Sequence, residues 1–317
     1  MTAVQSYDDK LQTLSEGSVH QHFDPWTDIA WDDPEYAVRR DDPRWVLPEA
    51  DALGRHPWYK AQPLDRQIEI GIWRQANVTK VGLQFENVLI RGLMEHVMEL
   101  PNGSREFRYC THEATEETHH TQMFQEFVNR TGVDVPGGPA YFRRLAPWLP
   151  LAARYVPAAF FVGVLAGEEP IDHVQKSILR SGDQVHPLLQ RIMQIHVAEE
   201  ARHISFAHEY LKRTVPRLNR RQKAALSVAF PVIMRVLGDV IMVPGKEMRR
   251  AVGIPQEVLD EVFWDSPDGD RMRRELFADV RALADDLGLM NRVSRRVWKR
   301  LGIDGRPSRF RSEPAAA

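Results

Sequence analysis

Cysteine is almost absent from this chain of 317 residues. Cys110 is the single cysteine, so no disulfide can form within the chain, and zinc or iron–sulfur sites built from several cysteines are excluded. One-sided charge is also missing, because 42 lysines and arginines nearly balance 44 aspartates and glutamates. The chain therefore has neither the basic excess typical of nucleic-acid-binding proteins nor an acidic, disordered tail. We expect a globular, cytoplasmic protein that does not bind nucleic acid.

Long apolar runs are rare as well. Residues 1–20 are polar and lack the basic and apolar regions of a signal peptide. The one strongly apolar stretch, residues 224–244, contains Pro231 and is interrupted by Arg235 and Asp239, which can pair on one helix face. Because a charged centre is costly in lipid, we interpret this stretch as a core or interface helix and expect no membrane association.

Several common motifs are missing too. The sequence has no glycine-rich phosphate loop, no nucleophile elbow and no motif for binding a flavin or a nicotinamide. Any redox chemistry therefore needs an external electron donor.

The hydrophobic pattern predicts an all-α fold with three parts. Residues 1–60, rich in Asp-Pro and Trp, are predicted to form an irregular N-terminal arm anchored by its tryptophans. Residues 61–304 are predicted to form a helical bundle domain with additional C-terminal helices, and residues 305–317 a flexible tail. Predicted helices end near residue 100 and then cover 105–131, 157–181, 187–215, 220–243, 256–262 and 271–287.

A hidden repeat points to a metal site. Glu117 and His120 form a Glu-x-x-His motif, and Glu200 and His203 form a second one farther along the chain. Residues three apart lie on one face of a helix, so each motif can hold one metal ion.

The repeat extends to the preceding helices. Glu86 precedes Glu117 by the same number of positions as Glu169 precedes Glu200. This shared spacing selects Glu169 over its neighbour Glu168. Two Glu-x-x-His motifs with one glutamate from each of two other helices are typical of ferritin-like bundles that hold two metal ions.

A third histidine extends the set. His196 lies four residues before Glu200, so His196, Glu200 and His203 share one helix face. We predict that His196 is a further ligand and that the two metal positions are unequal. Four carboxylates balance two divalent ions, and imidazole nitrogens suit iron. The predicted ligands are Glu86, Glu117, His120, Glu169, His196, Glu200 and His203, and we predict no catalytic residue beyond them.

Simpler interpretations exist for these residues. One Glu-x-x-His motif alone is common on solvated helix faces. His112, Glu116 and His119 form an alternative stripe on the first motif, although nothing in the repeat corresponds to it. Apolar residues near the motifs are expected either to line a substrate pocket or to be ordinary core: Phe85, Leu89, Val162, Leu165 and Ile204.

At these residues the sequence resembles the p-aminobenzoate N-oxygenase family of di-iron enzymes. The resemblance covers about residues 65–212, and its most specific part is the His-x-x-x-Glu-x-x-His block that begins at His196. It implies an all-α, ferritin-like, usually dimeric and cytoplasmic oxygenase, with four glutamates and three histidines around two irons. Those seven roles fall on the seven residues named above.

The resemblance also implies an activity. We expect an O2-dependent di-iron monooxygenase that oxidises the nitrogen of an aromatic amine through a peroxo intermediate. It would receive electrons from an external redox partner and act as a homodimer, and a manganese–iron pair is the alternative metal content. The sequence leaves three rivals open: a ferritin-like iron-oxidising or metal-binding protein, an acyl-chain desaturase or hydroxylase, and a structural helical protein with a vestigial site.

Overall fold

A computed structural model describes residues 6–180, 182 and 185–306. These residues form helices, three-residue 3-10 turns and irregular segments, and no strand occurs among them. The all-α, ferritin-like fold with additional helices is thereby confirmed. In chain order the helices are α1 (Tyr7–His20), α2 (Pro57–Lys60), α3 (Leu64–Val97), α4 (Arg105–Thr131), α5 (Ala140–Leu145), α6 (Leu151–Tyr155), α7 (Pro157–Leu179), α8 (Pro187–Thr214), α9 (Arg220–Met242), α10 (Lys246–Ala251), α11 (Gln256–Phe263), α12 (Pro267–Leu276), α13 (Ala278–Asp286) and α14 (Arg292–Arg300).

Four long helices make up the bundle. α3 packs along α4, α7 packs along α8, and the two pairs meet through contacts of α4 with α8 and of α3 with α7. Their ends follow local sequence signals: α7 and α8 begin with proline, whose fixed φ suits the first helical position. α4 ends at Gly132, which adopts the left-handed conformation with φ +61°. Each predicted motif therefore lies on a long helix that another long helix precedes.

The predicted arm is not wholly irregular. Its first part is helix α1, which the Ser6 side chain caps by accepting a hydrogen bond from the Asp9 backbone. Leu11 and Leu14 are buried, and α1 packs against α4 and α8. These two leucines lie three residues apart among polar neighbours, which is a weak helical signal that the Asp-Pro clusters farther along the arm obscured.

The rest of the arm and the C-terminal region differ from the expectation in two details. Trp31 and Trp45 are buried, as an anchored arm requires, whereas Trp26 is 56% exposed. The predicted helix 271–287 is two helices that meet at Phe277. Predicted positions 181 and 307–317 lie outside the described residues.

α9 contains the apolar stretch. By length and composition, Arg220–Ala251 could cross a membrane, but 44% of its apolar window is buried inside the protein. α9 packs against α7 and α14, and Arg235 pairs with Asp239 at 2.8 Å. This packing favours the interpretation as a core helix, although α9 also exposes Val228, Val232 and Val236.

The arm is attached to the bundle at His186, the residue before α8. The His186 imidazole accepts a hydrogen bond from the Leu188 backbone and stacks on Trp45, with ring centroids 4.2 Å apart. The Trp45 backbone also lies close against α3. This is possible because Gly71 on α3 has no side chain; a Cβ there would lie 1.8 Å from the Trp45 carbonyl oxygen. Burial lowers the pKa of His186 to about 4.

This attachment predicts a pH dependence of stability. The unfolded chain protonates His186 near its ordinary pKa of about 6.5, whereas the folded protein resists protonation down to about 4. Stability from this residue is therefore present above pH 6.5 and lost as the pH falls toward 4, by roughly 1–3 kcal/mol. Urea unfolding at several pH values should show this loss. The His186→Asn variant keeps a capping acceptor and should lose less stability over the same range; an unchanged pH profile would contradict the assignment.

Candidate metal centre

Buried carboxylates and imidazoles from all four bundle helices meet at one place. Two groups can each place one ligand atom per residue within 4.8 Å of the others. The first group is Glu86, His120, His196 and Glu200, and the second is Glu117, Glu168, Glu200 and His203. Glu200 belongs to both groups. The Glu117 carboxylate also lies between two histidines, 3.2 Å from His120 Nδ1 and 2.7 Å from His203 Nδ1.

The structure thus brings together six of the seven predicted ligands, but not Glu169. The Glu169 carboxylate turns away and contacts His208 Nε2 at 2.5 Å, while Glu168 lies in the cluster. Consecutive residues point about 100° apart around a helix, so only one of the two glutamates can face a given point. Equal spacing along the chain pointed to Glu169, whereas in this geometry Glu168 is the residue that faces the cluster. We therefore place Glu168 in the candidate ligand set.

The motif pairing also differs from the simplest expectation. Glu117 and His120 fall in different groups, because the two motifs face each other across the α4–α8 contact. The residues of the alternative stripe have other contacts. His112 lies within 3.4 Å of Arg108, and His119 donates from Nδ1 to the Phe23 carbonyl.

Two glutamates outside the predicted set hold the histidines. His120 donates from Nε2 to Glu199 at 2.8 Å, and His203 donates from Nε2 to Glu116 at 2.7 Å. Both histidines are thus fixed with Nδ1 directed at the cluster. The support is crossed: the glutamate immediately before each Glu-x-x-His motif accepts a hydrogen bond from the histidine of the other motif. Arg202 lies between the two glutamates, 2.9 Å from Glu116 and 3.7 Å from Glu199.

His196 is oriented in the opposite sense. Its Nδ1 donates to the Gln175 side-chain oxygen at 2.9 Å. Nε2 is then the unprotonated nitrogen, and it lies 3.3 Å from Glu86 and 3.4 Å from Glu200. The neutral form is favoured, since burial lowers the pKa of His196 to about 4. A neutral imidazole aimed at carboxylates is suited to bind a metal ion.

An apolar cavity of about 400 Å³ adjoins the cluster. Glu86, Glu168 and His196 form part of its wall, and most of the remainder is apolar side chains from α3, α7, α8 and α9. Of the predicted pocket residues, Phe85 and Leu89 line this cavity, whereas the other three are core residues: Val162, Leu165 and Ile204.

Comparison with known proteins gives the family. Residues 4–288 match the family model described as "P-aminobenzoate N-oxygenase AurF". The chain belongs to this family. Relatives include uncharacterized proteins of Mycobacterium bovis (Mb0909) and Mycobacterium tuberculosis (Rv0885). Each is 58% identical over 308 residues, which cover 97% of this chain and 91% of the relative. The suspected family is thereby confirmed, over a longer stretch than the helices that carry the motifs.

Members of the p-aminobenzoate N-oxygenase family are di-iron enzymes, and the buried groups of this chain fit two cations. Both oxygens of Glu168 and of Glu200 have no hydrogen-bond donor, nor has Oε1 of Glu117. His203 Nδ1 likewise has no hydrogen-bond partner, although it lies 2.7 Å from Glu117. Buried lone pairs that face one another without a donor are unfavourable unless a cation lies among them.

The pKa values point the same way. Burial and the carboxylates of Glu117 and Glu200 raise the pKa of Glu86 well above its ordinary value. Burial and Glu200 do the same for the pKa of Glu168. For Glu117, burial is outweighed by His203 and His120, which hold its pKa well below the usual range. Neighbouring carboxylates thus oppose the ionisation of Glu86 and Glu168, whereas the positive charge beside Glu117 favours its ionisation.

Glu113 is a further buried acid that the sequence interpretation did not assign to the site. In the repeat it occupies the position that corresponds to His196, as Glu117 corresponds to Glu200. It is fully buried, and neither of its oxygens has a hydrogen-bond partner. Burial raises its pKa to about 8, with Glu117 and Glu200 adding to the shift. The sequence does indicate that Glu113 lies on the same face of α4 as Glu117, because it precedes Glu117 by four residues.

The choice between Glu168 and Glu169 predicts a difference in metal content. Glu168→Gln removes a charged oxygen from the cluster and should cost the protein most of its iron after dialysis. Glu169→Gln is the matched control and should retain iron like the native protein, because its carboxylate faces His208. The number of iron ions per chain, measured by mass spectrometry, distinguishes the two glutamates. Loss of iron in the Glu169 variant alone would show that Glu169 is the ligand, as the sequence predicted.

The crossed support predicts weaker metal binding when Glu199 is changed. Glu199→Gln keeps the size of the side chain but removes the negative charge that fixes His120. Iron affinity should fall by about tenfold, the lower end of effects seen for groups that orient ligands. Glu209→Gln, on the surface of the same helix, is the control. Equal affinity in both variants would show that Glu199 has no orienting role.

Proposed function

We propose that this protein is an O2-dependent di-iron monooxygenase that oxidises the nitrogen of an aromatic amine. The observation that carries the proposal is the joint burial of four glutamates and three histidines beside an apolar cavity. Family membership supports the reaction type. The ligand set is Glu86, Glu117, His120, Glu168, His196, Glu200 and His203.

Two iron ions held by these residues would supply the electron transfers that activate O2. The balance of the reaction is simple: one oxygen atom joins the amine nitrogen, and the other leaves as water. The second oxygen atom takes up two electrons and two protons. The electrons come from an external donor, because the chain has no flavin or nicotinamide motif.

The residues of the chain orient the ligands and position the substrate. Glu116 and Glu199 hold His203 and His120 by their Nε2 protons, and Gln175 holds His196 by its Nδ1 proton. These bonds remove rotational freedom from the rings before any ion binds. The apolar walls lie on the Glu86 side of the cluster, where a substrate has room to lie.

A ferritin-like role is the main rival. It would need the same ligands, but it has no use for a large apolar cavity beside them. The cavity therefore favours an enzyme that binds an organic substrate. An acyl-chain desaturase or hydroxylase would also use such a cavity, so the reaction product has to separate these two enzymes.

The test is a single-turnover reaction. Protein loaded with iron(II), chemically reduced and mixed with ¹⁸O2 and 4-hexylaniline or aniline should yield a hydroxylamine, or a more oxidised nitrogen product, that carries ¹⁸O. His196→Ala should bind less iron and give little product, and metal-free protein should give none. If iron accumulates as a mineral while the amine stays unchanged, the proposed oxygenase activity is wrong. Oxygen inserted into the alkyl chain instead of the nitrogen would favour the hydroxylase.

A further inference from the structure

The cavity is elongated along two helices. It follows α3 from Arg74 to Leu89 and α7 from Ala159 to Ile178. A helix rises 1.5 Å per residue, so the lined stretch of α3 alone is about 22 Å long. Glu86, Glu168 and His196 lie along this length, and the volume is about 400 Å³. An apolar cavity of roughly 150 Å³ already accepts benzene. A single aromatic ring would therefore leave most of this space empty.

The positive charge in the cavity wall is already paired. Among the described residues that line the cavity, Arg74 is the one lysine or arginine, and its Nε lies 2.6 Å from Asp51. Both side chains are buried, 5% and 6% exposed. The other Asp51 oxygen accepts from the backbone of Leu53 and Gly54, which fixes the carboxylate beside the guanidinium. Asp51 therefore neutralises Arg74.

Arg74 is also far from the cluster. Twelve residues separate it from Glu86 on the same helix, which is about 18 Å along the axis. An aminobenzoate with its amine at the cluster would place its carboxylate well short of Arg74, where the cavity wall is apolar apart from the neutral side chains of Thr79 and Gln175. A buried carboxylate without a cationic partner is strongly disfavoured.

We infer that the cavity takes an uncharged, elongated arylamine with an apolar substituent, and not an aminobenzoate anion. That the substrate is an amine rests on the proposed function. That it is uncharged, elongated and apolar rests on the residues of the cavity wall. The amine faces Glu86, Glu168 and His196, while the apolar substituent extends along α3 and α7. This narrows the substrate class within a family whose description names an aminobenzoate.

Binding of three probes to the iron-loaded protein without O2 tests the inference. Titration calorimetry should give a dissociation constant for 4-hexylaniline at least about tenfold lower than for aniline, because six more carbons leave water. The dissociation constant for 4-hexylaniline should also be at least tenfold lower than that for 4-aminobenzoate, whose carboxylate has no cationic partner. If 4-aminobenzoate binds as tightly as 4-hexylaniline, the inference that the substrate is uncharged is wrong. If aniline and 4-hexylaniline bind equally, the inference that the substrate is elongated is wrong.

A variant locates the binding. Gly163 lines the cavity on α7, and an added Cβ would meet only Leu237, at 3.7 Å. Gly163→Leu should fill the space and weaken 4-hexylaniline binding at least tenfold. Ala225→Leu, at an exposed position of α9 outside the cavity wall, is the control and should bind like the native protein. Native affinity in the Gly163 variant, with a native helical circular-dichroism spectrum, would contradict this location.

The inference and the proposed function fail in different ways. If 4-hexylaniline binds as expected but its nitrogen is never oxidised, the substrate class stands and the reaction is wrong. If 4-aminobenzoate is oxidised and binds more tightly than 4-hexylaniline, the reaction stands and the substrate class is wrong.

Discussion

Mutual repulsion of buried carboxylates is the constraint on which the rest of this protein depends. Glu86, Glu117, Glu168 and Glu200 come from four different helices and meet where water does not reach. Such a cluster is stable only with compensating positive charge, either protons or metal ions. The helical bundle supplies the packing energy that holds these groups together, and the histidines supply nitrogen atoms between them.

Much of this could be predicted from sequence because both the helices and the repeat have strong physical signals. Proline at the first position of α7 and α8 and Gly132 after α4 mark helix ends within a residue or two. Glu-x-x-His places two ligands on one face of a helix whatever surrounds it. His196 followed from the same geometry, four residues before Glu200. These are local properties that do not depend on how the helices pack.

What the sequence could not give depends on packing. Whether Glu168 or Glu169 faces the cluster depends on the rotation of α7 about its axis, which is set by its packing against α8, α9 and α3. Counting residues cannot fix a rotation of about 100°. The crossed support by Glu116 and Glu199 likewise needs the distance between α4 and α8. The cavity is an absence of atoms among several helices, and no single segment encodes it.

The crossed support has a consequence for how the site comes to exist. Neither Glu-x-x-His motif is complete alone, because Glu116 on α4 holds the histidine of α8, and Glu199 on α8 holds the histidine of α4. Half of the repeat, expressed alone, would carry a motif whose imidazole can rotate freely. Docking of the two helices and binding of metal ions would therefore be thermodynamically coupled: each would favour the other, and metal ions added during refolding would stabilise the bundle.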